Sequence, residues 1–205
     1  KFNSKMKRLV QENKNSPETF NQIFRERRPD WFDKKRYKSL LKHWKGGRLI
    51  DMGCLWSEVP QRALYAQPDA SVWGLDQAGE AIKVMAERYP EIKYVQGDVY
   101  DTQFPDKIFD YVVAGELIEH LERPQDFIKE AYRILKPGGV LALSTPLEEA
   151  REIGAVDKDH LYSFDKQDIL DLTKDFQKVE IKVVGSRFFP WYKYAFDTII
   201  CWAIK

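Results

Sequence analysis

From Arg48 onward, short apolar runs alternate with stretches whose apolar positions recur every three or four residues. The runs Arg48–Met52, Ser71–Leu75, Ile92–Gln96, Phe109–Ala114 and Gly139–Ser144 predict strands. The intervening stretches near Glu58–Ala66, Gly79–Tyr89, Gln125–Leu135 and Lys166–Thr173 predict helices. Regular strand–helix alternation produces crossover units and a parallel sheet. The tail breaks the rule. Val179–Val184 and Thr198–Ile204 are apolar runs with no clear helix between them, so they predict a hairpin-type pair that brings an antiparallel strand into the sheet. The expected fold is therefore α/β, a doubly wound, mostly parallel seven-stranded sheet with an antiparallel last strand.

Two helices are expected ahead of this alternation. Ser16-Pro17-Glu18 reads as an N-cap, a first-turn proline and a first-turn acid, opening a helix to about Arg28. Asp30 is placed to cap a second helix that carries Trp31, Tyr37, Leu40, Leu41 and Trp44 and stops at Gly46-Gly47. Residues 1–47 are thus read as helices of the same domain, able to act as a lid, and residues 48–205 as the ligand-binding part. Charge is uneven across this boundary. Residues 1–48 carry 15 Lys and Arg against 5 Asp and Glu, while the chain as a whole has a net charge of only +1. This basic lead-in suits a phosphate, a nucleic acid or an acidic substrate; the alternative is a pair of solvated helix faces.

A length of 205 residues favours one domain with a sizeable core. With 43% hydrophobic and 32% charged residues, the composition excludes a disordered tail and a membrane protein. No apolar run approaches the roughly 20 residues needed to cross a bilayer. No signal peptide is visible, and because the first residue is Lys a trimmed leader stays open. Cys54 and Cys201 lie far apart, without metal-type spacing, which points to a reducing, cytoplasmic compartment and no disulfide framework.

The chemistry sits where apolar runs end in acids. Asp51 closes the first strand and Asp76 the second, at the carboxyl ends where parallel sheets bind ligands. The first turn lacks the Gly-x-Gly-x-x-Gly that lets a pyrophosphate approach the backbone, and Asp51 would repel a phosphate. An acid there suits a cationic ligand, and S-adenosylmethionine carries both a sulfonium and an α-amino group.

The order of features resembles the class I S-adenosylmethionine-dependent methyltransferases. The carrying segments are Asp51-Met-Gly53-Cys54, Gly-Leu-Asp76, Gln96-Gly97-Asp98-Val99, Phe109-Asp110-Tyr-Val-Val-Ala114, Glu116-Leu-Ile-Glu119-His120-Leu121, Arg133-Ile-Leu-Lys-Pro-Gly-Gly139 and His160-Leu-Tyr-Ser-Phe164. The resemblance spans roughly residues 40–205 and implies a Rossmann-like methyltransferase fold. It implies S-adenosylmethionine as the cofactor, with Asp51, Gly53, Cys54, Asp76, Gln77, Gly97, Asp98, Val99, Gly115 and Glu116 around it. In it Asp76 holds the ribose and Asp98 the adenine amino group. The residues also have plainer readings: Asp51 as a helix cap, Asp76 as a turn residue, Asp98 as part of a common Gly-Asp turn, and Cys54 as a small buried side chain.

Leu55 and Ser57 stand where the family usually has its second and third glycines, with Trp56 between them. The expectation is a rebuilt loop that still binds; the alternative is a degenerate domain acting through a partner. The expected reaction is methyl transfer to an oxygen of a small molecule or a sugar, with His120 or His160 as general base. Glu116, Glu119 and His120 stand at i, i+3 and i+4 and share one face if that stretch is helical. With His160 the set resembles metal-dependent methyltransferases that modify RNA 3′-end riboses or catechol-like quinone precursors. No metal ligand is assigned, because the same string occurs in metal-free relatives. The basic lead-in keeps an RNA acceptor as an alternative. Arg187-Phe-Phe-Pro-Trp-Tyr-Lys-Tyr194 reads as packing over the last strands or as a cover for the acceptor.

Overall fold

The computed structural model describes residues 6–9, 13–26, 32–55, 57–147, 160–185 and 197–205. Its centre is a seven-stranded sheet. After a short strand β1 (Lys7–Arg8), which lies outside it, the strands are β2 (Arg48–Met52), β3 (Ser71–Asp76), β4 (Lys93–Gln96), β5 (Phe109–Gly115) and β6 (Leu135–Pro146). A second short strand outside the sheet, β7 (Tyr162–Ser163), precedes β8 (Lys178–Val184) and β9 (Thr198–Ile204). Across the sheet the order is β4-β3-β2-β5-β6-β9-β8. β2 pairs in parallel with β3 on one side and with β5 on the other. β9 runs antiparallel to both β6 and β8. The expected architecture is met, and β9 is the one reversed strand. The order turns around between β2 and β5, which opens a crevice at their carboxyl ends.

Helices cover both faces because successive strand residues point to opposite sides. Leu49, Val72, Tyr111, Val113 and Trp202 face one layer, with Tyr37, Leu40 and Trp44 from α2 (Phe32–Leu40) and the turn after it, and Val59 and Ala63 from α3 (Val59–Ala66). Ile50, Met52, Leu75, Val112 and Ala114 face the other, beneath α5 (Pro124–Ile134) and α6 (Lys166–Leu172). On α5, Phe127, Ile128, Ala131 and Ile134 are buried at i, i+1, i+4 and i+7, the stripe a core-facing helix needs. The remaining helices are α1 (Pro17–Glu26) and α4 (Gly79–Arg88).

α2 is pinned at its C-terminal end. The Tyr111 hydroxyl donates to the Leu40 carbonyl at 2.7 Å and the Trp202 indole N–H donates to the Ser39 carbonyl at 3.1 Å. These side chains satisfy carbonyls that a helix end leaves without partners. α1 begins as expected, the Ser16 hydroxyl accepting from Thr19 N at 3.2 Å. Asp30, Trp31 and the aromatic segment Arg187–Tyr194 lie outside the described residues. β1 and β7 form a separate antiparallel pair, Lys7 opposite Ser163 and Arg8 opposite Tyr162. No helix is long and apolar enough to cross a membrane among the described residues.

Candidate active site

The loop after β2 forms the floor of the crevice. Asp51 is 2% exposed, and its Oδ2 has no hydrogen-bond partner among the described residues. Burial pushes its carboxyl up to about 7, helped by the nearby Asp76 carboxylate and opposed by the Ser57 hydroxyl and the charge of Arg36. A buried carboxylate oxygen without a donor is costly in an otherwise packed wall, and a cationic group above it would remove that cost.

Gly53 follows at φ +73°, and a Cβ there would stand 2.7 Å from Leu117 Cδ1. Only glycine tolerates both the conformation and the approach. The Cys54 side chain turns inward, its Sγ lying 2.9 Å from where a Cβ on Gly74 would be. Cys54 is buried, and burial holds its thiol well above the ordinary range, so it contributes backbone to the loop and no nucleophile. Leu55 has a positive φ (+33°), a backbone conformation that favours glycine. Ser57 takes a different role, its hydroxyl accepting from Val59 N at 3.1 Å at the start of α3. Trp56 lies outside the described residues.

Asp76 closes β3 and is 6% exposed. Its Oδ2 accepts from Leu55 N at 2.9 Å and its Oδ1 from Ala78 N at 2.8 Å. Burial raises its carboxyl, and the backbone N–H groups of Ala78, Leu55 and Gln77 pull the other way. A carboxylate has about four acceptor positions, so two bonds leave capacity for hydroxyl donors. Gln77 holds the neighbouring turn, its carbonyl accepting from Gln96 Nε2 at 3.1 Å. Beyond β4, Gly97 N donates to the Asp76 carbonyl at 3.0 Å. Asp98 is exposed and folds back, its Oδ1 accepting from Tyr100 N at 2.8 Å, while Val99 packs into the core.

On the other side of the crevice β5 ends at Gly115. Glu116 follows at φ +51°, its N–H donating to the Ser144 carbonyl (3.0 Å) and hydroxyl (3.1 Å), and the Ser144 hydroxyl donating to Glu116 Oε1 at 2.8 Å. Arg36 Nη1 of α2 stands 3.8 Å from Glu116 Oε2. Only Ile118–His120 make a helical turn, of the 3₁₀ kind. The shared face expected for Glu116, Glu119 and His120 is therefore not formed. Glu116 is turned back to Ser144 and Arg36, whereas Glu119, fully buried, accepts from the Thr145 hydroxyl at 3.0 Å.

His120 and His160 do come together, ring centroids 4.7 Å apart and planes at 81°. Phe20 of α1 meets the His120 ring edge-on at 5.8 Å, and Asn15 Nδ2 donates to the His120 carbonyl at 3.0 Å. Leu161 N donates to the Glu119 carbonyl at 2.7 Å, which holds the segment bearing His160 against the turn bearing His120. Ligand atoms of Glu119, His120 and His160 all lie within 4.8 Å of one another, so these three, without Glu116, form the cluster with metal-ligand chemistry. α1 reaches the opposite rim as well. Arg25 forks onto the Glu80 carboxylate, and Asn21 Oδ1 accepts from Glu80 N at 3.1 Å at the start of α4.

The model of a methyltransferase-domain family matches residues 50–143, the stretch that holds every acid of the crevice described above. A protein of Mycolicibacterium smegmatis named "Probable S-adenosylmethionine-dependent methyltransferase" is 32% identical over 118 residues, 57% of this chain and 45% of that protein. Over this stretch the chain is similar to the S-adenosylmethionine-dependent methyltransferases. The demethylmenaquinone methyltransferase of Listeria welshimeri is 31% identical over 117 residues, 53% of this chain and 49% of the relative. The aligned stretch thus spans less than half of either relative. Among solved structures, an S-adenosylmethionine-dependent methyltransferase from Aquifex aeolicus superposes with a TM-score of 0.69 at 15% identity, over 93% of this chain and 99% of that one. S-adenosylmethionine is the cofactor of such methyltransferases, and the buried Oδ2 of Asp51, which has no hydrogen-bond partner among the described residues, fits its cationic end. Sequence reasoning passed over Arg36, Ser144 and Thr145, which hold Glu116 and Glu119 in place.

Proposed function

We propose that this methyltransferase transfers the methyl group to an oxygen of a small hydroxylated molecule or a sugar. The observation that carries the reading is the His120–His160 pair beside the crevice that Asp51, Asp76 and Glu116 line. When bound, S-adenosylmethionine presents a methyl group on a cationic sulfur to an incoming nucleophile. Asp51 and Glu116 hold the charged amino-acid end, Asp76 the ribose hydroxyls and Asp98 the adenine amino group, with Gly53 and Gly115 allowing close approach of the backbone. One histidine of the pair takes the proton of the acceptor hydroxyl, and the other keeps it oriented. Most of the rate then comes from holding the reactants in line, and proton removal adds to it. α1, seated on both Glu80 and His120, serves as the lid.

Calorimetry with S-adenosylmethionine and S-adenosylhomocysteine, followed by methyl transfer to a panel of catechols, hydroxylated quinones and sugars, tests this reading. Binding with turnover of a hydroxyl acceptor supports it. Failure to bind either nucleoside at millimolar concentration sinks it in favour of a non-catalytic domain.

The Glu119–His120–His160 cluster favours a second reading, in which a divalent cation on these three side chains lowers the pKa of the acceptor hydroxyl. In that case EDTA abolishes turnover and magnesium or manganese restores it. Chelator-sensitive transfer to RNA oligonucleotides, with none to small acceptors, would identify the RNA-modifying form of this chemistry.

A further inference from the structure

Solvated helix faces mix acids with bases, and α5 does so: Arg123 and Lys129 share Asp126, and Arg133 meets Glu130. The outward side of α2 does not. From residue 32 to residue 48 the chain has seven Lys and Arg against one acid, Asp33. Tyr37, Leu40 and Trp44 are buried, whereas Lys34, Lys35, Lys38, Lys42 and Lys45 are exposed. Lys34 and Lys38 stand at i and i+4 of the helix, a spacing at which like charges repel. Lys34 and Lys35 also occupy its first turn, the end at which the helix dipole disfavours cations. The edge strand β8 extends the surface. Its Glu180 takes Lys42 and His43, and Lys182, two residues on and so on the same side of the sheet, is exposed. Lys34, Lys38, Lys45 and Lys182 have no carboxylate partner among the described residues. Local charge thus works against α2, which is held by its buried face and by Tyr111 and Trp202 on its last carbonyls.

We infer that this lysine face is a docking surface for the phosphate backbone of a single-stranded nucleic acid. Ammonium groups are compact point charges that bind phosphate without selecting a base. Tyr37 and Trp44 are buried, so they offer no platform on which a base could stack, and the contact is with the backbone. A bilayer suits the face less well. A basic helix that lies on a membrane also inserts apolar side chains, and the exposed large hydrophobic residues, Tyr65, Val84, Val95 and Leu170, lie on other elements. A stiff duplex laid along α2 would run past the crevice. A flexible strand can turn into it at the rim where α2 approaches Glu116. The docking stands apart from the reaction proposed above and needs neither the histidine pair nor the cofactor.

The test is fluorescence anisotropy on the full chain with labelled oligouridylate and oligothymidylate of about 20 nucleotides. The net charge of the chain is only +1, so binding has to come from a local face. The two oligonucleotides should bind within about threefold of each other, because the lysines read phosphate. The logarithm of the affinity should fall with that of salt concentration with a slope of about −3, four lysines at about −0.7 each for a single strand. Lys34→Gln/Lys38→Gln/Lys45→Gln/Lys182→Gln should lower the affinity by about 10-fold or more at about 50 mM salt and flatten the slope. Its melting temperature should be at or above that of wild type, because like-charge repulsion is relieved. Lys83→Gln/Lys129→Gln, on α4 and α5, should bind as the wild type does. Absence of binding, an unchanged slope in the fourfold variant, tighter binding to a duplex of the same length, or binding to phosphatidylserine vesicles in preference to oligouridylate overturns the assignment.

Discussion

The backbone N–H of Leu55 donates to Oδ2 of Asp76 at 2.9 Å, and this bond ties the loop after the first core strand to the acid that ends the second. It explains how the loop keeps its shape with leucine in a glycine's place. The bond holds Leu55 at φ +33°, where a branched γ-carbon is tolerated but not favoured.

Replacing Leu55 separates backbone strain from binding. Leu55→Gly should change stability by less than about 1 kcal/mol, because relief of left-handed strain is offset by the greater freedom of glycine in the unfolded chain. Leu55→Val should cost about 1 kcal/mol or more, since a β-branched residue is poorly accommodated at positive φ. Affinity for S-adenosylhomocysteine should rise several-fold in the first variant and fall in the second. Urea unfolding and calorimetry read the two effects.

Asp51 should give the apoprotein a distinctive pH dependence. Its carboxyl lies at about 7 in the folded chain against an ordinary 3.8. Between those values the folded chain holds a proton that the unfolded chain has released. The Asp51 contribution to stability is thus full below about pH 4 and is lost as pH rises through 7. Asp51→Asn should flatten that fall, measured as urea midpoints at pH 5 and pH 8. A cationic ligand needs the carboxylate form, so affinity for S-adenosylmethionine should drop as pH falls below 7, with a proton released on binding. The same substitution should remove this dependence.

His120→Gln and His160→Gln should each lower kcat by about 100-fold or more if a general base is lost. S-adenosylhomocysteine should bind both variants as it binds the wild type, because the acids proposed to hold the cofactor stand at the ends of β2 and β3. Steady-state rates with calorimetry alongside check the split.

Arg8 should act on that histidine pair from a distance. It forks onto Glu122 at 2.6 and 3.1 Å and reaches the Tyr162 hydroxyl at 3.3 Å. Glu122 lies two residues after His120 and Tyr162 two after His160. Both partners are substantially exposed, so Arg8→Ala should leave the melting temperature close to that of wild type. It should lower kcat by up to about 10-fold through loosened positioning, without altering cofactor affinity.

The strand assignments were legible in the sequence because buried parallel strands are continuous apolar runs, and Asp51 and Asp76 stand where those runs end. The turn after β5 was not. Its i, i+3, i+4 spacing cannot distinguish an α-helix from a single 3₁₀ turn, and the partner that bends Glu116 away, Ser144, lies 28 residues further on. Arg36 sits inside the run Lys34-Lys35-Arg36-Tyr37-Lys38, where nothing local marks it as the inward-facing cation. The β1–β7 pair is two residues long on each side, too short to show any periodicity.

β9 occupies an interior place in the sheet although it comes last of the strands. Until residues 198–204 have been synthesised, β6 and β8 have no common neighbour, and each presents a bare hydrogen-bonding edge. Assembly therefore needs β9 to pair with β6, alone or as a hairpin with β8, and until it does those edges are open to pairing with other chains. Shortening the chain by even half of that strand would leave the crevice residues intact and still yield a protein prone to aggregate.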